Sequence, residues 1–348
     1  MLILLHTGSA MKFGITYTIE KGAGRSAIER FHEAVDEIRL AETLGYDCAF
    51  VSEHHFMPDD MFPSPLIALA YIAARTSKIR LGSGVVLLPL HDPVKVAEDC
   101  AVLDLISGGR LILGIGQGYR PEEFSGFGRE LAHRPGRMRE GALLIRRLWT
   151  ESKVTFRGKH FSVDDMAFTP KPLQKPSPPI WVAAEKRSAV ELAAEIGDGW
   201  YADPITPLAI IRENVVHWEA ALGRHGKRRA DQAFAYYREW GVAADEATAW
   251  KHGGSEIEGE YLRYLKINHL VDDAQRPISP DREDLLPKLV RERTTIGDAK
   301  RGREDLAMIR EVLNPTHVVF KMKHALGHHE AIRDCLRLTA EEVMSYFS

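Results

Sequence analysis

Apolar runs of strand length recur along the chain, and stretches with helical spacing separate them. The strand-length runs are KFGITYT (12–18), DCAFVSE (47–53), IRLGSGVVLL (79–88), LILGIGQ (111–117), PIWVAA (179–184), GWYA (199–202), FAYYREWGVA (234–243) and HVVFKMK (317–323). Most are continuous rather than alternating, as expected of parallel strands covered on both faces. Between them, Leu66–Arg75, Arg137–Trp149, Ser188–Ile196 and Pro207–Leu222 carry apolar residues three and four apart, which predicts amphipathic helices. Asp92-Pro93 reads as an N-cap with proline at the first helical position, and Gly108-Gly109 stops that helix.

Eight strands, each trailed by helix, predict an α/β fold of the (β/α)8 TIM-like barrel type. A doubly wound open sheet also alternates strand and helix, but usually with fewer strands and one nucleotide crevice. Two segments break the rhythm. Residues 151–178, rich in Pro and Lys, form an excursion after strand 4, and the polar residues 246–300 form a longer one after strand 7. Long excursions in compact domains often serve as lids, and a helical insertion without a gating role fits the pattern nearly as well. Residues 1–10 read as a flexible leader before a second Met, Met11, and residues 11–348 as a single barrel domain.

Composition narrows the function classes. The 348 residues carry a net charge of −3, with Lys and Arg scattered among acids, so no nucleic-acid footprint is present. No run of 18 apolar residues exists, so no membrane span is expected, and the leader lacks a basic n-region. Cys48, Cys100 and Cys335 are odd in number and widely spaced, which fits free buried thiols in a reducing cytoplasm.

In a parallel barrel the active site lies at the carboxyl ends of the strands. Glu53-His54-His55 closes strand 2 and should reach that mouth, although a single His near a strand end is commonly a capping group. A metal reading finds little support. The chain has no His-x-His, no HExxH and no close Cys/His cluster, and adjacent strand residues cannot chelate one ion from the same face. Two glycine-rich strand ends, LGSGVVLLP (81–89) and GIGQGYRPEEFSGFG (114–128), suggest close approach of a flat ligand. The spacing Gly114-x-Gly116-x-Gly118 is not a dinucleotide fingerprint. AAEKRSAVELAAEIGDGW (183–200) leaves strand 5 and opens a helix, where free N–H groups beside Lys186, Arg187 and Ser188 make an anion site, or else a solvated turn.

Five ordered motifs taken together resemble the luciferase-like flavin-dependent monooxygenases. They are EHHF (53–56), GSGVVLLP (82–89), the run from Asp92 to Arg110, the run from Gly114 to Gly128, and the run from Ala184 to Gly197. The resemblance covers most of the chain from Met11 onward and is weakest at 151–178 and 246–300. It implies a TIM-like barrel, in agreement with the strand count. It also implies a catalytic histidine at His54 with Glu53 and His55 beside it, and a non-proline cis peptide at Ser83–Gly84 under the flavin ring. A flavin phosphate site is implied at Gln117 and the helix start Glu185, Lys186 and Ser188, with Gly118 and Tyr119 in the adjoining loop. Two departures stand out. Gln117 replaces the phosphate-binding arginine of bacterial luciferase, so Lys186 or Arg187 would supply the cation. Gly116 replaces a cysteine near the flavin, so the resemblance carries over oxygen chemistry rather than light emission.

The activity so implied is that of a cytoplasmic two-component monooxygenase. Reduced FMN and O2 would form a flavin hydroperoxide that oxidises a small apolar aldehyde, ketone or hydrocarbon, with a separate flavin reductase as partner and a homo-oligomeric assembly. Hydride transfer with the deazaflavin F420 on the same fold is the alternative, and Lys186-Arg187 would suit its phosphodiester tail. A non-catalytic flavin-binding accessory protein is the third reading, against which the intact EHH triplet argues. From strand-end position alone, Tyr17, His55, Leu88, Tyr119 and Trp200 are expected to line the substrate pocket.

Overall fold

The computed structural model describes residues 10–20, 24–58, 61–322 and 328–347, so the leader expected at 1–10 falls outside them except for Ala10. In chain order the elements are β1 (Lys12–Tyr17), α1 (Ala27–Thr43), β2 (Cys48–Val51), α2 (Pro65–Ala73), β3 (Arg80–Ser83), α3 (Pro93–Ile106), β4 (Leu111–Ile115) and α4 (Pro121–Gly126). There follow α5 (Arg134–Thr150), β5 (Lys153–Arg157), β6 (Ser162–Ala167), β7 (Ile180–Ala183), α6 (Arg187–Ile196), β8 (Gly199–Ala202), α7 (Leu208–Arg224) and β9 (Ala233–Val242). The chain ends with α8 (Glu246–Lys266), α9 (Leu286–Arg293), β10 (Thr294–Gly297), α10 (Ala299–Leu313), β11 (His317–Lys321) and α11 (His329–Glu342).

Eight of these strands pair in parallel in the cyclic order β1-β2-β3-β4-β7-β8-β9-β11, and the β8–β9 and β11–β1 pairings close the ring. They are the eight strands expected from the apolar runs. Local signals start and stop the helices as the sequence indicates. Ser26 and Glu29 form a reciprocal capping box at α1. The Asp92 carboxylate accepts from Val94 N at 2.8 Å, with Pro93 opening α3. Gly108 and Gly109 follow that helix at φ 72° and 81°, where glycine is needed.

Both excursions lie where the rhythm broke. The first holds the antiparallel β5–β6 hairpin, which is separate from the barrel sheet. The second holds α8, α9 and a ninth sheet strand. β10 pairs with the upper half of β9, Thr294 opposite Glu239 through Gly297 opposite Val242. Its four residues, TTIG, are too short and too polar to stand out from their surroundings.

Strand alternation divides the buried side chains into two sets. Cys48, Phe50, Ile112, Trp181, Tyr201, Ala235 and Val319 fill the barrel interior. A larger set lies between the strands and the helices. Three expected pocket residues belong to that outer set. Trp200 stacks on Phe234 at 4.8 Å and donates its indole N–H to Ala184 O at 2.8 Å. Its neighbour Tyr201 is the one that faces inward. Tyr17 is buried toward α1, where burial and the nearby Glu37 raise its phenol pKa. Leu88 sits in a short 3-10 turn against α5, close enough that a side chain at Gly141 would approach it to 3.2 Å. Position at a strand end is thus not sufficient, because a shift of one residue changes the face.

The glycine-rich strand ends also have an internal explanation. A Cβ at Gly82 would fall within the Phe50 ring, and one at Gly84 would come within 2.9 Å of Phe50 Cβ. A Cβ at Gly116 would lie 2.5 Å from Val85 Cγ2, and one at Gly114 would land on the Ser83 carbonyl oxygen. The missing side chains make room for the protein's own packing. All three cysteines are free and buried, and among the described residues no helix is long and apolar enough to cross a membrane.

Because the obstacle at Gly114 is backbone, Gly114→Ala should overpack the barrel and lower unfolding free energy by about 1–3 kcal/mol or more. Urea denaturation measures this, and a neutral substitution would show that β3 and β4 are less closely apposed than described.

Candidate active site

The chain leaves β2 as Ser52-Glu53-His54-His55, and alternation sends these side chains to two sides. Glu53 is 2% exposed. Its Oε1 accepts from His55 Nε2 and from His91 Nε2, both at 2.6 Å, and Oε2 accepts from Leu87 N at 3.0 Å. Burial alone would raise the Glu53 pKa, but the two imidazole hydrogen bonds, the His91 charge and the Leu87 N–H outweigh it and the net shift is downward. The Phe127 ring covers this group, 4.6 Å from the His55 ring and 5.7 Å from that of His91.

His54 turns the other way. Its Nδ1 lies 3.0 Å from Glu123 Oε1, and the same oxygen accepts the His55 backbone N–H at 3.0 Å. Glu123 is fully buried on α4, with Arg120 Nη1 4.0 Å from its Oε1. A carboxylate only accepts, so this contact places a proton on His54 Nδ1 and directs Nε2 away from Glu123. The Tyr119 ring stands edge-on to His54 at 6.2 Å.

The flavin-site residues divide likewise. The Ser83 hydroxyl donates to Gly114 O at 2.8 Å and accepts from Gly114 N at 3.0 Å, so it braces β3 to β4 and does not point into the mouth. The non-proline cis peptide lies at Gly84–Val85, one bond beyond the expected Ser83–Gly84. The ladder explains the offset. Ser83 is still in register with Val51, and Gly84 N still donates to Val51 O at 2.8 Å, so the chain parts from β2 only after Gly84, while Val86 still bridges Ile115 of β4. Gln117 is half-buried at the end of β4, and Gly118 follows with φ 71°, a turn that favours glycine.

At the end of β7, α6 opens without a side-chain cap, and Lys186, Arg187 and Ser188 are exposed there. The Arg187 guanidinium is engaged by Glu191 at 3.1 Å, which leaves Lys186 as the cation at this helix start without a salt bridge among the described residues. Glu185 faces His269 at 3.6 Å.

The second excursion reaches over this wall. His269, beyond α8, stacks on Tyr119 with centroids 4.8 Å apart and planes 19° apart. Burial lowers the His269 pKa, the hydrogen bond and charge of Glu185 raise it, and the net shift is upward. From α8, Glu260 meets Lys321 at 2.9 Å and accepts from the Tyr264 hydroxyl at 2.7 Å, while Glu239 lies 3.2 Å from the same ammonium. The Lys321 ammonium stands 5.8 Å from the Tyr237 ring, which stacks on Tyr201 at 6.1 Å. Burial, partly offset by Lys321, pushes the Glu239 pKa up to about 8.

Thus the structure brings together Glu53 and His55, with His54 on the opposite side, and sets Tyr119 beside His54. Gln117, Gly118, Lys186 and Ser188 lie on the β4 and β7 ends. Sequence reasoning missed Glu123, His91, His269 and the Lys321 group. Glu123 lay inside a motif already singled out, whereas His269 lay in a polar excursion without pattern. Ligand atoms of Glu53, His55 and His91 all lie within 4.8 Å of one another, a grouping that the expectation of no metal ligands did not take into account. These are alternate residues plus one from another loop, an arrangement the search for close His pairs did not cover.

A profile of the family described as luciferase-like monooxygenase matches residues 11–317. The oxygenase component of a flavin-dependent trigonelline monooxygenase from Acinetobacter baylyi is 30% identical over 208 residues, 59% of this chain and 57% of that protein. An F420-dependent glucose-6-phosphate dehydrogenase from Kineococcus radiotolerans is 36% identical over 168 residues, 46% of this chain and 49% of that protein. The chain therefore aligns with only about half the length of these two relatives. Among solved structures, the monooxygenase RslO1 from Streptomyces bottropensis superposes with a TM-score of 0.84 at 27% identity, covering 97% of this chain and 100% of that one.

The depressed pKa of Glu53 has a signed consequence for stability. A carboxylate lowered on folding contributes stability above its unfolded value, about 4.3, and loses it as pH falls through the folded value. Urea unfolding of wild type and Glu53→Gln should therefore show a gap that is steady near neutrality and closes in acid. A gap unchanged down to about pH 3 would contradict the hydrogen-bonded carboxylate.

Proposed function

The chain belongs to the luciferase-like monooxygenase family of flavin- and deazaflavin-dependent oxidoreductases, and within it we propose an FMN-dependent oxygenase component that takes reduced flavin from a separate reductase. Bound reduced FMN would supply the electrons and the activation of O2. The observation that carries the proposal is the His54–Glu123 pair, which fixes one imidazole nitrogen and leaves the other without a hydrogen-bond partner among the described residues, at the carboxyl end of β2. Such a group can hold or move a proton at the reacting atoms. His54 is the catalytic residue in this reading, Glu123 holds its tautomer, and Glu53 orders His55 and His91 behind it.

The chain's residues fit a flavin phosphate. The uncapped start of α6 offers backbone N–H groups, Ser188 a hydroxyl, Gln117 an amide and Lys186 a charge. Gly84, Gly118, Tyr119 and Glu185 complete the proposed cofactor wall. The His269–Tyr119 stack covers it, which would help keep water from the chemistry. The inner wall at β8, β9 and β11 carries Tyr201, Tyr237 and Lys321, and this polarity favours a small aldehyde or ketone over a plain hydrocarbon. No nicotinamide fingerprint occurs in the chain, in keeping with a separate reductase. We further place the protein in the cytoplasm, as one barrel domain over 11–348 that assembles as a homo-oligomer. Hydride transfer with F420 is the second reading. It draws on the F420-dependent relative and on exposed Lys186.

Turnover of a carbonyl panel with reduced FMN should require O2. His54→Ala should lower the rate ~10²–10⁴-fold while FMN affinity stays within a few-fold, and Glu123→Ala should follow the same pattern more weakly. Turnover with reduced F420 in the absence of O2, or an unchanged rate in His54→Ala, would reject the proposal.

A further inference from the structure

We propose that Glu53, His55 and His91 form a binding site for one divalent first-row metal ion, whichever flavin the enzyme uses. Glu53 and His55 are alternate residues of an extended segment and point to one side. His91 comes from the loop between β3 and α3 and meets them there. Both imidazole Nε2 atoms lie 2.6 Å from Glu53 Oε1, and the three ligand atoms fall within 4.8 Å of one another. Two imidazoles and a carboxylate form a donor set that suits zinc or ferrous iron and leaves coordination positions for water.

The surroundings have the features of a metal site. Leu87 N–H holds the second carboxylate oxygen at 3.0 Å, which orients the ligand from behind. Phe127 packs against both rings and walls off one side. The His91 side chain is 29% exposed and that of His55 10%, so an ion can enter from the His91 side. Ligand bonds of about 2.0–2.2 Å at tetrahedral angles put ligand atoms roughly 3.4 Å apart, between the 2.6 Å of each Nε2–Oε1 contact and the 4.8 Å that bounds the group, so each ring must draw back from Oε1 by less than about 1 Å while the two nitrogens stay within the bounded span.

Protonation does not stand in the way. In the hydrogen-bonded state each Nε2 donates its proton to Glu53. Among the described residues neither Nδ1 of this pair has a hydrogen-bond partner. A neutral ring can present its Nε2 lone pair to the ion by carrying its proton on Nδ1 instead. The same three residues then have two arrangements, a hydrogen-bonded hub without metal and a chelate with it.

Full-length protein stripped with a chelator should bind one equivalent of Zn2+ by titration calorimetry and gain visible absorption with Co2+. Glu53→Gln and His91→Gln should each weaken Zn2+ binding at least ~10-fold and abolish the Co2+ bands. Two other imidazole pairs provide controls, His133–His160 with rings 5.4 Å apart and His252–His328 at 5.0 Å. His160→Ala and His328→Ala should leave the binding unchanged. Thermal melts without metal establish that each variant is folded, and the Zn2+-induced rise in Tm should vanish in His91→Gln. No saturable binding to wild type, or binding that survives His91→Gln and disappears in His160→Ala or His328→Ala, would overturn the site. Neither result bears on whether reduced FMN and O2 support turnover, so the two proposals fail separately.

Discussion

The structure depends on closure of eight parallel strands into one ring. Once β8 and β9 pair and β11 returns to β1, every strand residue faces either the narrow interior or the helical layer. That constraint sets the core, as the Trp200 and Tyr201 pair shows. It also sets the chemistry, because residues just past a strand end are the first released from the choice. Glu53, His54 and His55 occupy that position, and their side chains are then held by partners from the segment itself, from the β3–α3 connection and from α4. His54 goes to Glu123 on α4, while Glu53 gathers His55, His91 and the Leu87 amide.

Buried charge marks the same region. Taking a carboxylate or an ammonium out of water costs several kcal/mol, which pairing recovers only when the geometry is good. Among the described residues the mouth nevertheless holds Lys321 with both Glu239 and Glu260, and burial pushes Glu239 toward its neutral form. Hydrophobic packing could fill such a space at lower cost. A polar cluster kept at the carboxyl ends of barrel strands points to work done there.

Much of this was legible beforehand. Continuous apolar runs located all eight ring strands, and Asp92-Pro93 and Gly108-Gly109 bracketed α3 as read. EHH was placed at a strand end from position alone. What failed did so for identifiable reasons. Tyr17, Leu88 and Trp200 were assigned to the pocket without knowing which face they occupied. Ser83 was assigned to the cofactor, while its hydroxyl is consumed by Gly114. The glycines of β3 and β4 indicated close approach correctly, but the approaching groups are Phe50, Val85 and backbone. His91, Glu123 and His269 come from two separate loops and a short helix, and nothing in their local sequence announces that they converge.

The extra length of β9 sets how freely the 246–300 segment can vary. Its lower residues complete the ring with β8 and β11, and its upper residues carry β10. The segment is therefore sewn in at both borders, by direct continuation from β9 at one end and by the β10 ladder at the other. Apart from Glu239, which pairs with both Lys321 of β11 and Thr294 of β10, the ring pairings lie outside those two seams. Evolution or a designer could exchange the cover between them as a cassette, retuning what enters the barrel without reopening the hoop beneath.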